Sequence, residues 1–363
     1  MRVLMLVGRS TGGIGTHVDR LVDDLRREGT DVALVTDPST AACFGWADAH
    51  LLWPVHPGLR APRGLVDWHR IMRLTGTVDI VHAHGHQAAV IAAVAVLRAR
   101  PRPRLVVTLH NDLPPRLRSG PAARVVAWAL RRADLVTGAS GDLVELARDL
   151  GAEPVELATV ASPGVAAILA SSPATPGERA ALRTAAGLAP DGPLVVTVSR
   201  LAPQKDLHTL AAAARDSRCG ATWVVIGAGD DALRAHVERE ASGIPLVFLG
   251  ARDDVPAWLR AADVFVLTSR WEARALVVQE AMAAGVPVVV TRTGGLPDLV
   301  GDAGVLVPVG DAAAVTRAVD SLLGDPDERR RLGARARERA LAWASPGDEA
   351  RRWRERYTET LRR

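Results

Sequence analysis

The sequence predicts an α/β chain of two Rossmann-like parallel-sheet domains facing an interdomain cleft. Short Val/Leu-rich runs recur along the chain, each followed by a stretch with helical spacing. Strands that are apolar throughout are buried on both faces, as in parallel sheets covered by helices. The alternation occurs twice within 363 residues, the length of two ordinary domains. A small, Pro-rich polar stretch, "ASSPATPGER" (170–179), separates the two series.

In chain order, the first series places strands at 2–7, 31–36, 78–82, 104–109, 134–138 and 155–160. Helices between them are expected at 14–28, 86–98, 121–132 and 141–150. The second series places strands near 193–198, 221–226, 245–249, 263–268, 286–290 and 304–307. Its helices fall near 206–215, 230–241, 254–261, 275–284 and 311–323. The closing segment reads as two helices broken at Ser345-Pro346-Gly347. The expected domains are therefore 1–170 and 171–343, with 344–363 a helix returning to the first. Proteins of this build bind ligands beyond the carboxyl ends of their strands, so the site is expected in the cleft.

Composition narrows the class. Hydrophobic residues at 48% and charged residues at 24% describe a soluble chain with ample core. A net charge of +4, with no aromatic-basic face, points away from nucleic acid. Cys43 and Cys219 fall in different predicted domains, which fits free thiols in a reducing, cytoplasmic compartment. The opening "MRVLMLVGRS" reads as a buried strand, too short for a signal peptide's apolar region. The longest apolar run, "AAVIAAVAVL", is about half of the ~20 residues a membrane span needs. The Arg-rich stretch 116–132 reads as a solvated helix face, with peripheral contact to anionic lipid as the lesser alternative.

Of the 45 basic residues, only Lys205, in "SRLAPQKDLHTL", is a lysine. In so Arg-biased a chain, the lone lysine is either chance or the mark of a place that needs a compact, flexible ammonium. The richest segment is "DVFVLTSRWEARALVVQEAMAAGVPVVVT" (263–291). Its strand ends at Thr268-Ser269, Glu272 lies in the turn, and a helix then runs to Ala284, where Gly285 terminates it. Glu280 lies further along that helix. A helix start offers free N–H groups to phosphate, and carboxylates accept from paired hydroxyls such as those of a sugar or ribose. Glu272 as helix-start charge and Glu280 as a solvated helix face are the plainer alternatives.

Four patterns together resemble glycosyltransferase family 4, retaining GT-B enzymes that use nucleotide sugars. They are "GRSTGGIGTHVDRLVDDL", "SRLAPQKDLHTL", the Glu272-x7-Glu280 segment and "TGGLPDLVGDAGVLVPVGD", and in this order they span nearly the whole chain. The resemblance implies that Arg200 and Lys205 hold the donor diphosphate and that Glu280 binds the ribose. It implies that Glu272 and the backbone of Ala273, Arg274, Ala275 and Leu276 hold the donor sugar and phosphate. Ala273 and Arg274 stand where the family has Gly and an aromatic residue. Arg252, Asp253 and Asp254, in "LGARDDVPAWL", match the segment that contacts the base. Gly12 and Gly13 match paired glycines that let backbone approach the phosphate. His110, in "VVTLHNDLP", matches a loop histidine near the reacting sugar. The implied reaction is hexosyl transfer from a UDP-sugar, or secondly GDP-mannose, by front-face substitution with no metal and no cofactor. The acceptor class, whether small molecule, glycan or lipid-linked, is not readable.

Other signals compete. "VHAHGHQ" offers His82, His84 and His86 to a metal-dependent hydrolase. A sole lysine could carry pyridoxal phosphate, as in a phosphorylase. Gly227-x-Gly229-x-x-Ala232 imitates a dinucleotide fingerprint, yet no acidic residue closes the next strand. Asp325-Pro326-Asp327 imitates a metal motif, but helix capping accounts for it better. Trp46, Trp53 and Trp68 are candidates for stacking on sugar, with core packing as the alternative.

Overall fold

The computed structural model describes residues 1–10, 12–54, 61–114, 119–343 and 346–363. The chain divides into two compact units, Met1–Ala161 with Ala344–Arg363, and Ser162–Trp343.

The first unit holds seven strands: β1 (Arg2–Val7), β2 (Asp31–Thr36), β3 (His50–Leu51), β4 (Ile80–His84), β5 (Arg104–Leu109), β6 (Leu135–Gly138) and β7 (Val155–Leu157). They pair in the order β3-β2-β1-β4-β5-β6-β7, parallel throughout. β1 reads RVLMLV and every residue after Arg2 is fully buried, as a strand covered on both faces requires. One cover is the helix Gly13–Arg27, which turns Val18, Leu21, Val22 and Leu25 inward. The closing helix Pro346–Arg362 joins the same core through Ala350, Trp353 and Tyr357, each at most 1% exposed.

The second unit holds β8 (Leu194–Val198), β9 (Thr222–Ile226), β10 (Leu246–Gly250), β11 (Val264–Leu267), β12 (Val288–Thr291) and β13 (Val305–Val307). Their order is β10-β9-β8-β11-β12-β13, again all parallel. In each sheet the winding reverses once, at β1/β4 and at β8/β11. Such a switch point leaves a crevice beyond the carboxyl ends of two neighbouring strands.

The unit boundary falls at Ala161/Ser162, ahead of the Pro-rich stretch at 170–179. The helix Gly164–Leu169 packs into the second core through Ile168. The last four residues of the Pro-rich stretch begin another helix, Pro176–Ala185, capped by Thr175 and Glu178 in a reciprocal box. The dipeptide strand β3 and the helices Pro38–Phe44 and Ala61–Thr75 also lie outside the expected elements.

No helix among the described residues is long and apolar enough to cross a membrane. Both cysteines are free. In the 116–132 stretch, residues 116–118 lie outside the described residues. The helix Gly120–Leu130 buries Ala123, Val126, Ala127, Ala129 and Leu130 and leaves Arg124 exposed. Asp37 and Asp325 accept backbone N–H bonds as helix caps. Trp46 and Trp53 are core residues, 9% and 5% exposed, and Trp46 Nε1 donates to Asp19 at 2.7 Å.

Candidate active site

The second unit builds its site at the β8/β11 switch point. β8 ends at Val198 and delivers Arg200 and then the single 3₁₀ turn Pro203–Lys205. Arg200 is held by its neighbours' backbone. Ser199 N–H donates to Ile226 carbonyl at 3.0 Å, Leu201 N–H to Ala228 at 2.9 Å, and Asp230 N–H to Leu201 at 2.8 Å. This close approach explains the imitation fingerprint. Gly227 and Gly229 have φ of 144° and 156°, and a Cβ on them would stand 1.9 Å from Ser199 O and 2.4 Å from Leu201 O. Their freedom lets the Arg200 segment pass, with no dinucleotide involved. The Arg200 side chain is exposed, and no hydrogen bond or ion pair fixes its guanidinium among the described residues.

From β11, the turn 268–275 comes to meet this segment. Thr268 Oγ1 donates to the carbonyls of Lys205 and Asp206, both at 3.1 Å. Gln204 Nε2 donates to Trp271 O at 2.6 Å, and Arg270 N–H donates to Gln204 O at 2.8 Å. On the far side, Gly295 N–H donates to Glu272 O at 2.8 Å. Gly294, at φ 52°, sits so close that a Cβ would meet Glu272 O at 2.0 Å. So braced, Lys205 Nζ donates to Glu272 Oε1 in an ion pair whose side chains are only 14% and 11% exposed. An ion pair this shielded is screened far less than a surface one.

The helix Leu276–Ala283 follows at once, and among the described residues no side chain caps its amino terminus. Its first N–H groups therefore keep their donor capacity and their share of the helix dipole. Ala273 and Ala275 are buried, and the Arg274 guanidinium lies 5.8 Å from the Trp343 ring centroid. Glu280 lies one turn before the end of this helix. Burial pushes its carboxyl above the usual carboxylate range, and a hydrogen bond from Ser162 works against that shift. Arg252 and Asp254 bind each other bidentately, at 2.7 Å twice, which leaves backbone rather than these side chains to meet a ligand. Sequence reasoning missed Gln204, Gly294 and Ser162. The adjacent "TGG" was visible for Gly294, whereas Gln204 and Ser162 carry no local signal.

The first unit builds a different cluster at its own switch point. Gly12 precedes the helix Gly13–Arg27 that follows β1, His84 ends β4, and His110 follows β5. His84 Nδ1 and His110 Nε2 lie 2.9 Å apart. His17 joins them, its Nδ1 3.3 Å from Glu349 Oε1. His17, His84 and His110 each offer a ring nitrogen within 4.8 Å of the others, a grouping different from the His82/His84/His86 set of the metal-hydrolase alternative. His82 is committed elsewhere, to Tyr357 Oη and Thr108 Oγ1, both at 2.7 Å. Burial holds His17 at about 4 and His82 at about 3, and holds His84 and His110 well below their ordinary value.

Residues 178–339 match the family described as Glycosyl transferases group 1, and residues 11–167 match Glycosyltransferase Family 4. The chain is 30% identical to glycogen synthase of Mycobacterium tuberculosis over 399 residues, 93% of this chain and 90% of that one. It is 30% identical over 274 residues to the sulfoquinovosyl transferase SQD2 of Arabidopsis thaliana, covering 72% of this chain and 52% of that protein. It thus spans about half the length of that relative. Among solved structures, Anabaena Alr3699/HepE in complex with UDP superposes with a TM-score of 0.85 at 22% identity, covering 99% of this chain and 100% of that one. Two parallel-sheet units with a switch-point site in each, set beside these matches, define a GT-B glycosyltransferase. The chain belongs to the group 1 and family 4 glycosyltransferases.

Proposed function

We propose that this protein is a retaining glycosyltransferase of carbohydrate biosynthesis. It moves a hexose-type sugar from a nucleotide diphosphate sugar to a hydroxyl of a small-molecule, glycan or lipid-linked acceptor. A UDP-sugar is the first choice of donor and GDP-mannose the second. The choice of UDP is supported by its likeness to the Anabaena protein, which has been solved with UDP and with UDP-glucose.

One observation carries the reading: the shielded Lys205–Glu272 pair stands beside an uncapped helix start, with Arg200 on the neighbouring strand end. Arg200, Lys205 and the N–H groups from Ala273 to Leu276 meet the diphosphate, neutralising it without a metal. Glu272 accepts from hydroxyls of the transferred sugar, Glu280 from the ribose, and the 252–254 backbone faces the base. The acceptor is assigned to the first unit, with His110 and the Gly12-Gly13 turn as the groups that would serve the reaction from there. As the anomeric carbon–oxygen bond to phosphate breaks, the acceptor oxygen bonds to the same face of that carbon. The acceptor's proton passes to the departing phosphate oxygen. No cofactor enters. The cytoplasm, where nucleotide sugars are made available, is the compartment this reading fits.

The test separates the two glutamates. A thermal-shift panel of UDP, GDP and ADP identifies the diphosphate that wild type binds, since a ligand of the folded state raises the melting temperature. Calorimetric titration with that diphosphate then compares Glu272→Ala with Glu280→Ala. Glu280→Ala is expected to lose roughly tenfold or more in affinity, because ribose binding is uniform along the reaction. Glu272→Ala is expected to bind the bare diphosphate nearly as wild type does and to fall in kcat, because its partner sugar acquires charge only in the transition state. Loss of diphosphate binding in Glu272→Ala alone would reverse the assignment.

A further inference from the structure

The chain enters the second unit in the grip of the helix that carries Glu280. The Ser162 hydroxyl donates to Glu280 Oε1. Ser162 N–H donates to Gln279 Oε1 at 3.1 Å, so two consecutive side chains of Leu276–Ala283 hold one residue. Ser162 Oγ also accepts from Gly164 N–H at 3.2 Å. A hydroxyl has a single proton to give, and with Gly164 on its lone pair that proton is committed to Glu280. Ser162 is 1% exposed, so water does not compete. Gly164 closes the flank: a Cβ there would stand 2.9 Å from Glu280 Oε1, 3.2 Å from Cδ and 3.3 Å from Cγ. The absence of that methyl group is what lets the carboxylate lie where it does.

We propose that Ser162, flanked by Gly164, is a positioning residue that fixes the plane of the Glu280 carboxylate for the ribose diol. This rests on the reading of Glu280 as the ribose ligand. Oε1 takes the serine proton, and Oε2, with no hydrogen bond among the described residues, is turned to the 2′- and 3′-hydroxyls. A carboxylate that is already oriented does not surrender rotamer freedom when the nucleotide arrives, so the orientation is worth affinity. Burial disfavours the ionised form of Glu280, and the serine bond offsets part of that cost. The sequence separation of 118 residues between the two partners hides the relation from any local motif.

The test deletes the ligand hydroxyls as well as the side chain. Calorimetry measures the Kd of the best-bound diphosphate among UDP, GDP and ADP, and of its 2′,3′-dideoxy form. The proteins are wild type, Ser162→Ala, Ser162→Thr, Gly164→Ala and Glu280→Ala. Wild type is expected to prefer the ribose form by about tenfold or more, and Glu280→Ala to lose that preference. Ser162→Ala and Gly164→Ala are expected to lose most of the preference while binding the dideoxy form as wild type does. Ser162→Thr, which keeps the hydroxyl, is expected to retain it. If wild type binds neither diphosphate, or binds both forms alike, the ribose reading of Glu280 fails and the proposal falls with it. If wild type discriminates and Ser162→Ala discriminates equally, the ribose reading stands and the role of Ser162 is refuted. Equal loss of both forms in Ser162→Ala marks a merely structural residue and also refutes it.

Discussion

Lys205→Ala and Arg200→Ala are each expected to lower kcat by roughly 10²–10³-fold, because each removes charge aimed at a departing diphosphate. The two cations differ in how they are held. Lys205 is set by the 3₁₀ turn, by Thr268 on its carbonyl and by Glu272 on its ammonium. Arg200 is anchored through backbone alone and keeps its side chain exposed. Lys205→Arg is expected to be impaired as well. A planar fork cannot occupy a place shaped for a point charge, and it would have to displace the braced Glu272 turn. Steady-state rates with the donor found by thermal shift, checked against unchanged melting temperatures, decide the matter. Near-wild-type turnover in both alanine variants would remove the cationic pair from the mechanism. In the same assay a chelator is expected to leave the wild-type rate unchanged, and a loss restored by Mn²⁺ or Mg²⁺ would show that a metal shares the neutralising role.

The strands were readable because parallel strands buried on both faces are written as unbroken apolar runs. β11 and β1 after Arg2 are of this kind, and β5 after Arg104 and β8 depart from it by one buried threonine each. β3 escaped because two exposed residues, His50 and Leu51, carry no period. The helix Pro176–Ala185 was hidden by composition. Its Thr-x-x-Glu box at 175–178 was present, but the surrounding Pro, Ser and Ala read as a linker. At the site, Lys205 stood out by composition and Glu272 by its place at a strand end. What joins them did not: Lys205 meets Glu272 across 67 residues, and Ser162 meets Glu280 across 118. Contacts of that separation are set by strand order, which a single sequence leaves open until the switch point is known. Gly227 and Gly229 show the converse, a legible motif that the missing acidic residue marked as an imitation but whose actual use was not legible. Their backbone freedom serves the passage of Arg200, a packing need that a dinucleotide turn happens to share.

Lowering the pH from 7 to 5 is expected to destabilise the first unit sharply, before ordinary carboxylates titrate. His17, His82, His84 and His110 are buried, and each is held below the ordinary histidine value of 6.5, chiefly by loss of solvent around the charged form. The charged groups facing them do little to reverse this. Glu349 stands 3.3 Å from His17 Nδ1, and a carboxylate there favours the imidazolium, but burial outweighs it. Arg356 opposes protonation of His82. His82 also spends its two nitrogens on Tyr357 and Thr108, a neutral-ring arrangement in which one nitrogen donates and the other accepts. His17 Nε2 and His84 Nε2 are buried with no acceptor among the described residues, so a proton placed there would go unpaired. The sign follows from linkage. Folded values below the unfolded value mean that the unfolded chain binds protons first, so stability is full above about 6.5 and is lost as the pH falls. Each histidine kept neutral costs on the order of 1.4 kcal/mol per pH unit in that window, and four of them approach the whole margin of a typical domain within about two units. Thermal unfolding followed from pH 7 to pH 5 should therefore show a steep fall in the first unit's melting temperature. His17→Gln, which removes one titrating group, should flatten that slope. A melting temperature that is level across this range would mean that these histidines are protonated in place, and the neutral cluster would have to be abandoned.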